Sequence, residues 1–212
     1  YNRWYGIDAR GRLNHVDQQV IGDISNDRIT IIKNTYDELG KISEKYIHDC
    51  LDTTKYEYSI NGRLVSAASP SFSYELGVNT SVMGPVDDDL IRYDGNLTNM
   101  IWEGFSDECF KGYGFAYDRS GQLEDALLYS ETADGYVISD AYAECGITYD
   151  INGNILSLVR SDGDGDIIHD LQYRYDNPVN PNAITGLTLG DGTESQQYEY
   201  DSNGNMTFDG HN

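Results

Sequence analysis

The sequence predicts an all-β fold: a repeat array of antiparallel β-hairpins forming a continuous curled sheet, either an open strip or a partial shell. Three observations predict it. Aromatic and β-branched residues alternate with polar ones over short runs, the period of a strand with one buried face. Each run ends in a turn opened by Asp or Ser and closed by Gly, after which a second β-rich run returns. The unit recurs along the whole chain, with turn glycines at Gly11, Gly40, Gly62, Gly95, Gly121, Gly153 and Gly204. Recurrence at intervals of about 20 to 50 residues marks an architecture whose units bury their faces only against their neighbours.

The clearest unit is Gly146 to Val159, GITYDINGNILSLV. Ile147 and Tyr149 share one face; Asp150 opens the turn by bonding back to backbone amides. Gly153 then takes the positive φ of a type I turn followed by a bulge, and Ile155 to Val159 return. Tyr56, Tyr58 and Gly62 follow the same grammar, as do Tyr117, Asp118 and Gly121, then Tyr198, Tyr200, Asp201 and Gly204. Tyr36 to Ile42 is another copy. Tyr5 to Leu13 puts Ile7 in the second aromatic slot, Tyr93 to Leu97 has a shortened turn, and Tyr173 to Pro178 runs into a longer loop. Tyrosines two apart are expected to stack on the same pair in the next hairpin, each burying about 150–250 Å².

In chain order, residues 1–17 form the first hairpin, and Ile29, Ile31 and Ile32 mark a strand within 18–35. The unit 36–55 returns through Ile42 to Ile47 and ends in the polar HDCLDTT, where no face can be assigned. From Tyr56 the chain passes through Leu64 and Val65 to SAASPSFS, where Pro70 interrupts pairing or sits at an edge. The turn-rich stretch 77–90 reads as a loop joining sub-arrays 1–76 and 91–212 of a single array, 1–212. Residues 91–129 carry Leu97, Ile101, Trp102, Phe115 and Tyr117, with Leu123, Leu127 and Tyr129 returning. ETADG reads as a turn, residues 137–146 lead into the clearest unit, and NPVNPN is an irregular loop. Met206 and Phe208 close the last unit, and the final GHN reads as a frayed end.

A chain of 212 residues is long enough for one sizeable domain or two small ones. Its 18 Tyr, 5 Phe and 2 Trp argue against disorder. With 14 basic against 36 acidic residues the net charge is −22, which disfavours nucleic acid, anionic membrane surfaces and acidic polysaccharides as partners. No window approaches the roughly 20 apolar residues that cross a bilayer, so no membrane insertion is expected. The opening YNRWYGID reads as a strand rather than a leader, as in a mature product or an excised piece. Cys50, Cys109 and Cys145 form no CxxC pair and allow at most one intramolecular disulfide, which spacing does not identify.

Chemistry-bearing patterns are sparse. Asp162, Asp164 and Asp166 occupy the first, third and fifth positions of a calcium-loop pattern. Ile167 stands where the sharp turn needs Gly and Tyr173 where the bidentate Glu belongs, so the expectation is a solvated hairpin tip. Asp87, Asp88 and Asp89 are adjacent, and consecutive side chains on an extended chain diverge, so an acidic loop is expected there. Trp4 and Trp102 have two readings, cross-strand packing or an exposed platform for a sugar ring. His15, His48, His169 and His211 are scattered, and no G-x-S-x-G, HExxH or phosphate-binding glycine loop occurs. No catalytic residue, cofactor or metal site is therefore expected. A glycosidase would need two carboxylates across a groove, and spacing within a sheet selects no pair.

The pattern Tyr-x-Tyr-Asp-x-x-Gly-x-Leu/Ile/Met resembles the YD repeat of Rhs-type proteins, found also in bacterial toxin-complex shells and in teneurins. The succession YEYSINGRL, FSYEL, RYDGNLTNMIW and FAYDRSGQL is especially similar to the arrays of large exported bacterial Rhs proteins. The resemblance implies a long curling antiparallel sheet that in related shells encloses another polypeptide, and a secreted or cell-surface location. The family's protease-like core motif and toxin tail have no counterpart here. The expectation is a non-enzymatic scaffold or shell wall whose partners are flanking repeats of the parent chain, with open sheet edges inviting self-association. The rival is a cell-surface recognition module binding a neutral glycan or a protein through exposed Tyr and Trp.

Overall fold

The computed structural model describes residues 1–22, 27–83, 91–106, 110–133 and 135–210. The chain is all-β, and among the described residues there is no helix. In order the strands are β1 (Asn2–Ile7), β2 (Leu13–Gln19), β3 (Arg28–Tyr36), β4 (Ile42–Ile47), β5 (Asp52–Tyr58), β6 (Leu64–Ala68), β7 (Phe72–Val78) and β8 (Leu97–Gly104). There follow β9 (Lys111–Tyr117), β10 (Leu123–Thr132), β11 (Gly135–Tyr149), β12 (Ile155–Ser161), β13 (Ile167–Arg174), β14 (Gly186–Leu189), β15 (Glu194–Gln197), β16 (Glu199–Tyr200) and β17 (Met206–Phe208). The first fifteen make one open antiparallel sheet in strict sequence order, and β16 and β17 form a separate ribbon.

Because each strand pairs with the one before and the one after, the turns fall alternately on the two rims of the sheet. The repeat turns after β1, β3, β5, β9 and β11 all lie on one edge, here the turn rim, together with the connections after β7 and β13. The connections after β2, β4, β6, β8, β10, β12 and β14 lie on the far rim. This alternation follows from a repeat that supplies one Asp-Gly turn per pair of strands and leaves the other turn to local sequence.

Register places Tyr56, Tyr74 and Trp102 on one face. Tyr56 faces Ala67, Ala67 faces Tyr74, and Tyr74 faces Trp102 across successive strands. On the opposite face Ile101 faces Gly112 and Gly112 faces Tyr129. There the segment before residue 84 folds over the sheet: Asn99 accepts the Val82 N–H at 3.0 Å and donates to Ser81 Oγ at 2.9 Å. Met83 then packs with Ile101 and Tyr129, flanked by Val82, Phe110, Leu127 and Tyr136. Gly112 permits this, since a Cβ there would stand 2.8 Å from the Met83 sulfur.

Some local readings change. Asp52, Thr53 and Thr54 are not the polar tail of a unit but the start of β5, paired to β4. The turn before them is residues 48–51, made by consecutive left-handed residues His48, Asp49 and Cys50. Glu131 and Thr132, read as part of a turn, are ladder residues facing Tyr136 and Gly135. β7 runs into the turn-rich stretch as far as Val78 and pairs along its length with β8, so the strands on either side of that stretch are neighbours in one sheet. Pro70 sits in the connection between β6 and β7. Asp87, Asp88, Asp89, Cys109 and His211 lie outside the described residues. Cys50 and Cys145 are free thiols.

Candidate functional site

The turn rim is where the repeated letters of the sequence meet. In each regular turn one carboxylate oxygen accepts two backbone amides, those two and four residues on. Asp150 Oδ1 takes Asn152 and Asn154 at 2.8 Å each, Asp118 Oδ1 takes Ser120 and Gln122 at 2.8 Å each, and Asp201 Oδ1 takes Asn203 and Asn205 at 2.9 Å each. The Gly amide closes the turn onto the carbonyl of the opening residue, Asp150 for Gly153 at φ 85°, Asp118 for Gly121 at 81°, Asp201 for Gly204 at 83°, and Ser59 for Gly62 at 79°. L side chains avoid that region, so Gly is required. The Asn154 amide and the backbone N–H groups hold the Asp150 carboxyl below its ordinary value, and Asn205 does the same at Asp201. A hydrogen bond to the charged form favours ionisation.

Two sets of bonds then join one hairpin to the next. In four units the second aromatic residue donates its hydroxyl to a backbone carbonyl on the returning strand of the preceding hairpin. Tyr36 reaches Leu13 at 2.6 Å, Tyr58 reaches Ile42 at 2.9 Å, Tyr117 reaches Leu97 at 2.9 Å and Tyr149 reaches Leu123 at 2.7 Å. Burial raises the phenol pKa of Tyr58, Tyr117 and Tyr149, keeping each a donor.

The second set uses the residue just after the turn glycine. Lys41 Nζ donates to the Gly62 carbonyl at 2.5 Å, Arg63 Nη1 to the Gly95 carbonyl at 2.6 Å, and Asn96 Nδ2 to the Gly121 carbonyl at 3.4 Å. Asn154 reaches the Pro181 carbonyl at 3.4 Å. Arg12 lies over Gly40 and Gln122 over Gly153, 3.1 and 3.2 Å from where a Cβ would stand. Each turn thus grips the next along the rim. The cations also cover the repeat rings: Arg12 lies 4.0 Å from the centre of Tyr36 and Lys41 4.8 Å from that of Tyr58. Such contacts contribute about 0.5–1 kcal/mol at exposed sites.

The expected stacking of tyrosine pairs between neighbouring hairpins is not what holds them. Tyr56 and Tyr58, Tyr173 and Tyr175, and Tyr198 and Tyr200 do share faces, half-buried. The ring-on-ring stack runs instead through Trp102, Tyr113 and Phe115, with centroids 5.7 and 6.3 Å apart. Repeat tyrosines point along the strand toward the rim, where their hydroxyls meet carbonyls, and this carries their rings past one another. Trp4 is half-buried under Arg28, whose guanidinium lies 4.5 Å from the ring and bonds Asp17 at 2.7 Å. Burial alone would raise the Asp17 carboxyl; bonds from Thr30 and Arg28 outweigh it and leave it lowered.

Asp162, Asp164 and Asp166 form a far-rim turn of the same grammar. Asp162 Oδ1 accepts the amides of Asp164 and Asp166 at 3.0 Å each, so its carboxylate caps its own turn. Among the described residues no three His, Cys, Asp or Glu side chains converge as metal ligands, and no helix is long and apolar enough to cross a membrane.

Neither a family model nor a curated protein matches the chain. Solved structures similar to it include two toxin-complex chains. One, of TcdB2-TccC3-Cdc42, gives a TM-score of 0.35 at 12% identity, over 98% of this chain and 17% of that one. The other, of TcdB2-TccC3, gives 0.37 at 13% identity, over 97% and 13%. The chain therefore spans less than a fifth of the length of either.

Proposed function

We propose that this chain is a non-enzymatic structural segment, one stretch of the wall or scaffold of a larger exported Rhs-type protein, acting in the secreted or cell-surface space. One observation carries the reading: the side chains that repeat in the sequence are spent on binding unit to unit. The Asp carboxylates cap their own turns, the tyrosine hydroxyls donate to the preceding hairpin, and the residue after each turn glycine leans on the next turn. A catalytic repeat would instead present such groups to a substrate. In this role the partners are the flanking repeats and, through the open edges of β1 and β15, other strands.

A wall must transmit load from hairpin to hairpin, and that is measurable. Trp4 in β1 and Trp102 in β8 report on separate parts of the sheet, so variants retaining one or the other follow denaturant unfolding at each place. Coincident transitions are expected, with Arg63→Ala, which removes the grip on Gly95, pulling them apart. Two independent transitions in the parent protein would contradict the proposal.

A further inference from the structure

The middle of β11 departs from the ladder. Ala126 faces Glu144 while Leu128 faces Ser139, so residues 140–143 bulge out between them. At the bulge Tyr142 has φ 51°, a left-handed conformation that a bulky L residue rarely adopts, and the residue is 60% exposed. The neighbourhood holds it there. Tyr113 donates its hydroxyl to the Tyr142 carbonyl at 2.8 Å, and the Tyr142 amide donates to Asp162 at 2.8 Å. Ser161 accepts the Ala143 amide at 2.9 Å and donates to the Asp140 carbonyl. Strain fixed by so many surrounding bonds, at a bulge that re-aims a side chain, is the pattern found beside functional sites.

The re-aimed ring closes one side of a trough of about 340 Å³. Tyr113 and Phe115 form the opposite wall, continuing the stack from Trp102. Ala126, 8% exposed, is the floor, small where its neighbours on the strand are large. At the end lies the pair Arg160–Glu144, joined by Nε to Oε1 at 2.9 Å, with both side chains 43% exposed. Among the described residues that bond uses only Nε and Oε1, so the Nη donors and the second carboxylate oxygen stand side by side at the end of the trough. Apolar walls with a few convergent polar groups make a small-molecule site.

We propose that this trough binds a neutral saccharide. The exposed ring of Tyr142 and the outer end of the stack at Phe115 suit the C–H faces of a pyranose, and the remaining donors and acceptor of Arg160 and Glu144 suit a pair of adjacent hydroxyls. Charge selects against the anionic alternatives, since Asp140 and Asp162 border the bulge and the chain as a whole carries −22. The site is independent of the scaffold role and can fail without it. Calorimetry on the whole chain with cellopentaose, maltopentaose and chitotetraose, alongside a phenylalanine- and leucine-containing unstructured peptide, tests it. At least one oligosaccharide is expected to bind and to perturb Trp102 fluorescence, with affinity falling about tenfold or more in both Tyr142→Gly and Arg160→Gln. Tyr142→Gly should melt no lower than the parent, because glycine accepts the left-handed backbone. Arg160→Gln keeps the bulge and tests the polar end separately. Absence of binding to all three sugars, binding indifferent to both substitutions, or capture of the peptide in place of sugar would overturn the proposal.

Discussion

The two rims of the sheet are built from the same kind of hairpin yet differ in what their turns do. On the turn rim a capped Asp-Gly turn is gripped by its predecessor: Lys41 holds Gly62, Arg63 holds Gly95 and Asn96 holds Gly121. The far rim mixes turn types, from the left-handed run His48–Cys50 to the regular turn 162–166 and the compact end at Gly192. Around Gly192 nothing lies within 4 Å of the site of a Cβ. The repeat sequence therefore encodes a regular turn-to-turn coupling at one rim, while contacts at the other are set by local sequence.

The largest effect that separates the rims is expected from glycine substitution. Gly192→Ala bears only the backbone cost of its positive φ, about 1–2 kcal/mol, which is roughly 2–8 °C for a chain of this size. Gly62→Ala bears that and also drives a methyl to within 2.0 Å of Lys41 Nζ, breaking the grip, so it should melt lower still. Gly153→Ala, beside Gln122, should fall between them. Equal melts for all three would show that the grips contribute nothing.

Next in size is the hydroxyl ladder. Tyr149→Phe should cost about 0.5–1.5 kcal/mol, the net worth of one hydrogen bond, while Tyr93→Phe, 80% exposed, should cost nothing measurable in the same melt.

Acid then tests the caps. The carboxyls of Asp8, Asp94, Asp150 and Asp201 are all lowered below an ordinary value of 3.8. Groups depressed in the folded state stabilise it fully above their unfolded value, and that stability is lost as pH falls through the folded value. Thermal melts should thus be flat above about pH 5 with respect to these groups and decline below 3.8. Asp150→Asn, which keeps an acceptor without a titrating group, should decline less steeply. The smallest effect is expected from Asp164→Asn at the far rim, within about 0.5 kcal/mol of the parent in the same assay.

These contrasts also explain what could be read from sequence. The hairpins and their Asp-Gly turns are local events, written in adjacent residues such as Asp150 and Gly153, and pattern alone recovers them. The partner of each tyrosine hydroxyl is not local. Tyr149 finds the Leu123 carbonyl 26 residues away, and only the pairing of β10 with β11 brings them together, so the spacing of the rings suggested stacking instead. The residue after each turn glycine is Arg, Lys, Asn or Gln, all long or amide-bearing, and that recurrence was the available signal for the grips. The bulge at Tyr142 left no sign, because nothing in AYAEC distinguishes a strained strand from a regular one. The Asn99 tie to Val82 was equally hidden, since a buried Asn in a strand is visible only once its loop is in place.

The account turns on bonds that run between hairpins rather than within them, and hydrogen exchange on the Tyr58→Phe, Tyr117→Phe, Tyr149→Phe triple variant tests this most directly. Faster exchange is predicted in pairs of neighbouring hairpins, in the strands carrying Ile42, Leu97 and Leu123 as well as those carrying the substituted rings. Protection lost only in the substituted hairpins, or not lost at all, would contradict it.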